Sequence, residues 1–165
     1  MKHVLKSNTT LTNVKQEDIQ PNAIDLRLDR IFVFSAPYSE EFKISNEDKK
    51  PFTKQELFPA DDWWQLGPGC YEVIMENIVK MGENEAGWVI TRSTLSRNGV
   101  FITGGLYDSG YHGVMAATLN VTRNLTIKKG TRIGQFLLFD ADMLHKYDGS
   151  YGLAKEHDKL YQPVE

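Results

Sequence analysis

Val114-Met115-Ala116-Ala117-Thr118-Leu119-Asn120-Val121 alternates between two faces. Met115, Ala117, Leu119 and Val121 fall on one side, and Val114, Ala116, Thr118 and Asn120 on the other. A period of two is the mark of a β-strand. Working outward, further short strand-like runs occupy residues 23–28, 31–34, 69–75, 88–91, 100–103, 124–127 and 132–139. Turn signals separate them, with Asp29-Arg30, Asn98-Gly99 and Lys129-Gly130 the clearest. Many short strands at this spacing predict an all-β barrel or sandwich of the jelly-roll type. Helix signals are few. Thr53-Lys54-Gln55-Glu56 has capping-box spacing and predicts one short helix.

A chain of 165 residues corresponds to about one domain, since domains run to roughly 100–200 residues. We expect a single domain over residues 1–165. Residues 39–62, polar, acidic and broken by Pro51 and Pro59, read as a surface excursion and as the feature best suited to a regulatory protein partner. The tail from about residue 145 lacks periodicity and reads as a mobile arm unless something holds it. The net charge of -3 argues against a broad nucleic-acid-binding face, which needs clustered Lys and Arg. It leaves room for a nucleotide, which needs only a few local donors. The one cysteine, Cys70, excludes an intrachain disulfide and reads as a small buried hydrophobe. Residues 1–10 are polar and unlike a secretory signal, and no apolar run approaches the roughly 20 residues that span a bilayer. The expected location is the cytoplasm, or a host's cytoplasm for a viral protein.

Three segments carry candidate chemistry. In residues 104–113, Asp108 sits among four glycines between two strands. Glycines let a ligand approach the backbone closely, and a carboxylate there can orient or deprotonate a water. The competing reading is a Gly-rich hairpin whose Asp caps its own turn. Arg92-Ser93-Thr94-Leu95-Ser96-Arg97 offers two guanidinium groups and three hydroxyls, a set suited to phosphate oxygens but also common on solvated turns. Arg132-Ile133-Gly134-Gln135 enters the last strand and by itself reads as a polar strand start. The histidines His3, His112, His145 and His157 have no ligand spacing. Trp63 and Trp64 read as core or subunit packing, and Asp25 as a structural, hydrogen-bonding Asp.

Taken together, these segments resemble the dUTPase and dCTP deaminase superfamily over nearly the whole chain. Residues 19–28, Ile-Gln-Pro-Asn-Ala-Ile-Asp-Leu-Arg-Leu, are similar to the family's opening motif, especially in its deaminase branch. Leu66-Gly67-Pro68-Gly69 resembles that branch's Leu-x-Pro-Gly turn, and the segments at 92–97, 106–113 and 132–135 resemble the phosphate, catalytic and fourth motifs. The resemblance implies the trimeric dUTPase type of β fold, with sites between subunits. It implies that Asp108 activates the attacking water and that Tyr111 packs on deoxyribose. Arg92, Ser93, Thr94 and Gln135 would contact phosphate, and Arg97 would also reach the substrate. Backbone groups in residues 100–107, including Gly105, would read the pyrimidine. It implies no direct metal ligand, with Mg2+ held through the triphosphate, in keeping with that ion's preference for phosphate oxygens and water.

Two departures matter. Deaminase members carry a glutamate ten residues beyond the catalytic Asp, where this chain has Thr118. An alcohol does not exchange protons near neutral pH, whereas phosphoanhydride hydrolysis needs a base, a positioned water, metal and phosphate donors. The expected activity is therefore dUTP hydrolysis to dUMP and pyrophosphate by a homotrimer. The alternatives are a dCTP-directed relative and a weakly catalytic regulatory nucleotide binder. In the tail, Tyr147 and Tyr151 match the branch's closing arm as substrate contacts, but Ala154 stands where that arm has Gln.

Overall fold

The computed structural model describes residues 1–34, 41–50 and 52–161. Ser39, Glu40 and Pro51 of the expected excursion, and residues 162–165 of the tail, lie outside the described residues.

Thirteen strands form among the described residues, all paired antiparallel. They are β1 (Thr10–Leu11), β2 (Ile24–Phe34), β3 (Lys43–Ile44), β4 (Lys49–Lys50), β5 (Lys54–Leu57), β6 (Trp63–Leu66) and β7 (Gly69–Lys80), followed by β8 (Glu85–Thr91), β9 (Val100–Thr103), β10 (Leu106–Tyr107), β11 (His112–Val121), β12 (Leu125–Lys128) and β13 (Arg132–Asp140). The main sheet runs β10-β8-β13-β2-β7-β11-β9, with β1 on β7 and β5 on β2. It curls into a half-barrel, and β6-β12 and β3-β4 form two small ribbons. The one α-helix among the described residues, α1, is a single turn at Ser93–Ser96. The expected all-β architecture is what forms. None of the described helices is long and apolar enough to cross a membrane.

β11 shows why the pattern folds this way. Its residues from Gly113 to Val121 alternate buried and half-buried as the sequence predicts. Met115 and Leu119 are completely enclosed with Ile24, Leu26, Leu28, Ile31, Val73, Ile133, Phe136 and Leu138. The Phe136 ring lies where a Cβ on Gly87 would stand, 2.2 Å from Cζ, so that strand position admits only glycine.

Three expectations change. Asp29-Arg30 is not a turn: β2 runs through it with an irregular register between Leu28 and Arg30. Residues 24–27 of the strand pair with β13, and from Leu28 onward it pairs with β7, joined by β5 from Ile31; the bulge falls within the β7 pairing. The helix predicted from Thr53-Lys54-Gln55-Glu56 is the strand β5 instead. Arg30 Nε donates to Glu56 at 2.8 Å and Lys54 Nζ to Glu72 at 2.8 Å, so neighbouring strands hold these polar residues extended. The excursion is thus partly a member of the main sheet. Trp64 is buried with its indole N–H donating to Leu57 O at 2.7 Å, while Trp63 is exposed. Cys70, expected to be buried, is exposed.

Candidate active site

The Gly-rich segment becomes β10, a tight loop and the start of β11. Ser109, buried in the loop, donates from Oγ to the Glu85 carbonyl at 2.7 Å and accepts from the Glu85 N–H at 3.1 Å. Tyr111 N–H donates to Asp108 O at 3.0 Å, closing a turn whose Gly110 has φ +83°, in the region that favours glycine. The loop is therefore fixed at both ends. The Asp108 side chain projects to the surface with no hydrogen bond or ion pair to any described residue.

Behind it lies an aromatic stack. Tyr111 sits 5.5 Å from Tyr107 and meets Tyr147 edge-on at 5.4 Å. Its hydroxyl donates to Val114 O at 2.8 Å. Burial, and then the nearby Asp158, push the Tyr111 hydroxyl pKa well above its ordinary value, so it remains a neutral donor.

The tail is held down over its described length. Tyr147 N–H donates to Ser109 O and Leu153 N–H to His112 O, both at 2.9 Å. A 3-10 turn at Glu156–Tyr161 then packs Tyr161 on Phe32 and Ile74, and the Tyr161 hydroxyl donates to Glu72 Oε1 at 2.9 Å. Two cavities result. One of about 330 Å3 is lined by Gly105, Tyr111, Thr118, Tyr147, Tyr151 and Glu72, among others. The other, of about 600 Å3, is lined by Asp108, Ser109, Asp142, His145, Tyr147 and Asp148, among others. Their sizes suit small-molecule ligands.

The remaining candidates cluster elsewhere. Asp25 is fully enclosed and gathers four side chains. Gln135 Nε2 donates to its Oδ1 at 3.1 Å, while Gln20 Nε2, Arg92 Nε and Arg132 Nη1 stand 3.2–3.3 Å from its Oδ2. Arg92 also precedes α1, where Ser93 and Thr94 are exposed, as is Arg97 directly after it. None of Arg92, Ser93, Thr94, Arg97 and Gln135 lines either cavity. Within one chain the structure joins Gly105, Tyr111, Tyr147 and Tyr151 around the smaller cavity, and Asp108 with Tyr147 around the larger.

Among the described residues no three His, Cys, Asp or Glu side chains form a metal cluster. The setting still fits a Mg2+ held through phosphate, because that ion prefers phosphate oxygens and waters to an all-protein cage, and the Asp108 carboxylate, exposed and without a partner among the described residues, is free to meet one of those waters. The sequence reading missed Glu72, Lys54, His157 and Asp158 in the smaller cavity. No local pattern marks them. The β7–β11 register, the pairing of β5 with β2 and the docked tail bring them there.

The chain matches the dCTP deaminase-like family over residues 1–141. It is 32% identical to the deoxyuridine 5'-triphosphate nucleotidohydrolase of Methanocaldococcus jannaschii, over 90% of this chain and 97% of that one. It is 29% identical to a probable deoxyuridine 5'-triphosphate nucleotidohydrolase of Halobacterium salinarum, over 84% and 85%. Its fold is similar to the Agrobacterium tumefaciens 2'-deoxycytidine 5'-triphosphate deaminase, with TM-score 0.58 and 14% identity over 82% of this chain and 44% of that one. It is also similar to the Staphylococcus bacteriophage 80alpha dUTPase, with TM-score 0.52 and 13% identity over 87% and 97%.

Proposed function

The chain belongs to the dCTP deaminase-like family, and from that premise we propose that it hydrolyses dUTP to dUMP and pyrophosphate. The observation that carries this reading is Asp108, whose carboxylate is unpaired while the loop bearing it is pinned through Ser109. An unpaired carboxylate can take a proton from a water it orients. The water oxygen then bonds to phosphorus, the phosphoanhydride P–O bond breaks, and pyrophosphate leaves. Tyr111 presents its ring to the deoxyribose, and the backbone about Gly105 meets the pyrimidine. Tyr147 and Tyr151 close the cavity from the tail. Mg2+, when bound with the nucleotide, neutralises and orients the phosphate oxygens.

Arg92, Ser93, Thr94, Arg97 and Gln135 are the phosphate contacts of this reading, yet they stand apart from Asp108 in one chain. In this reading a second copy brings them to it, within the homotrimer of one-domain subunits that the family resemblance implies. Trp88 and Leu106, register partners that are 50% and 62% exposed, give the sheet edge beside Asp108 an apolar surface for that contact. Thr118, in place of a carboxylate, favours hydrolysis at phosphate over deamination of cytosine. Incubation with each deoxynucleoside triphosphate and Mg2+, followed by chromatography, tests the reading. Formation of dUMP and pyrophosphate, with no ammonia from dCTP, supports it. Intact dUTP, or ammonia from dCTP at a comparable rate, overturns it.

A further inference from the structure

The turn between β7 and β8, residues 81–84, has a different neighbour on each side. On one side lies the loop that carries Asp108. Met81 N–H donates to Tyr111 O at 2.8 Å, and the Ser109 hydroxyl holds both backbone groups of Glu85. Tyr107 pairs with Gly87 in the β10–β8 ladder. Asp108 therefore stands between two residues, Tyr107 and Ser109, that are both fixed to the start of β8. On the other side lies the segment before β1, and the Glu85 side chain, 1% exposed, turns towards it. Its Oε2 accepts from the Thr9 hydroxyl at 2.6 Å and the Thr9 N–H at 2.9 Å. Its Oε1 accepts from the Asn8 N–H and from Lys2 Nζ, both at 3.1 Å. The buried Thr9 hydroxyl in turn accepts from the Gly82 N–H at 3.0 Å. A Cβ on Gly82 would stand 2.5 Å from Glu85 Oε2 and 2.8 Å from Asn8 Cβ, so the segment lies directly against the turn.

We propose that Thr9 and the Glu85 side chain are positioning residues for the hydrolysis, through which the segment before β1 buttresses the Asp108 loop from behind. The inference rests on reading Asp108 as the base. Neither residue lines either cavity, so both act through the loop and not on the nucleotide. Glu85 is the link, because its carboxylate holds residues 8 and 9 while its backbone holds Ser109. Hydrogen bonds to an ionised acceptor are roughly twice as strong as neutral ones, so the segment is firmly tied to the residue that carries the loop. Loss of the Thr9 hydroxyl takes a donor from Glu85 and the acceptor from the Gly82 N–H at once. The turn then shifts beneath its contacts with Ser109 and Tyr111, and Asp108 shifts with them. A displacement of about 1 Å in a reacting group lowers a rate by about a hundredfold. Nucleotide binding draws on other groups and changes far less.

Thr9→Val keeps the shape of the side chain and removes the hydroxyl. Its kcat for pyrophosphate release from dUTP should fall by roughly tenfold, with KM and the affinity for a non-hydrolysable dUTP analogue within about threefold of wild type. Assays run well below the melting transition, and the stoichiometry of analogue binding counts the sites, so loss of folded protein does not register as loss of kcat. Thr9→Ser restores the hydroxyl and should restore kcat. Glu85→Gln reaches the same link from the other side and should show the same split between kcat and KM. Ile127→Ala, a core change on β12 that touches neither cavity, should lower Tm and leave kcat as it is. The decisive arm joins Thr9→Val to Ser109→Ala. Both act on Asp108 through Glu85, so the double variant should fall little further than Ser109→Ala alone, whereas independent effects multiply. Multiplied effects, an unaltered kcat in Thr9→Val, or an equal loss in Thr9→Ser overturns the proposal, as does a matching fall of kcat in Ile127→Ala. If the wild type does not hydrolyse dUTP, the reading of Asp108 fails and this inference with it. If it does and the split is missing, only the positioning role fails.

Discussion

Ser109 and Glu85 are clasped twice: the serine hydroxyl donates to the Glu85 carbonyl at 2.7 Å and accepts from the Glu85 N–H at 3.1 Å. This one side chain fixes the loop between Tyr107 and Tyr111, and with it Asp108, to the start of β8. Removing the hydroxyl leaves a buried N–H and carbonyl without their partner, at a cost of roughly 1–3 kcal/mol. Ser109→Ala should lower the melting temperature and reduce kcat by about ten- to a hundredfold through misplacement of Asp108, with KM changed far less. An unaltered kcat would show that the clasp does not position the base.

Asp25 orders the second half of the site. Its enclosed carboxylate holds Gln135 and lies against Arg92 and Arg132. Asp25→Asn removes the negative charge from under two guanidinium groups, and breaking a buried ion pair in this way destabilises by roughly 3 kcal/mol. Chemical denaturation should register that loss. The KM for dUTP should rise as well, because Arg92 and Gln135 lose their common anchor. Wild-type stability and KM in the variant would show that Asp25 does not order Arg92 and Gln135.

Glu85 sets a limit in acid. Burial pushes its carboxyl pKa up, but hydrogen bonds from Thr9, the Asn8 N–H and Lys2 outweigh burial and leave it below the ordinary 4.5. A carboxyl whose folded pKa is depressed contributes stability that is complete above the unfolded value and lost as pH falls through the folded one. Melting temperature should therefore decline as pH drops below about 4.5. Glu85→Gln should flatten that decline while lowering stability at neutral pH. An identical pH profile in the variant would contradict the assignment.

Tyr111 joins packing to selectivity. Its ring is buried between Tyr107 and Tyr147 while lining the smaller cavity. Tyr111→Ala should cost roughly 3–5 kcal/mol, as large-to-small aromatic changes do, and should narrow the preference for dUTP over UTP. Tyr111→Phe keeps the ring and should keep the preference. Equal dUTP-to-UTP efficiency ratios in wild type and the alanine variant would show that the ring does not read the sugar.

Much of this architecture is legible in the residues because β11 writes its two faces as a strict alternation, and most of the other strands show as apolar runs between turns. The bulge in β2 is not legible: Asp29-Arg30 has turn composition, and only pairing on both sides keeps the strand continuous. The false helix signal at residues 53–56 fails for a similar reason, since Arg30 and Glu72 lie far away in sequence and hold β5 extended. In the site, the four glycines around Asp108 announce the loop. Glu72 stays hidden because its partners are long-range. Tyr161 is 89 residues away, and Thr118 is its neighbour only through strand register.

Asp108 acts as the base in phosphoanhydride hydrolysis in the proposed reaction, and pyrophosphate release from dUTP by the Asp108→Asn variant measures that role most directly. Asn keeps the size of the side chain but lacks a basic carboxylate. The variant's kcat should fall by about 10²–10⁴-fold, with binding of a non-hydrolysable dUTP analogue close to wild type. Pyrophosphate release at near wild-type rate would contradict it.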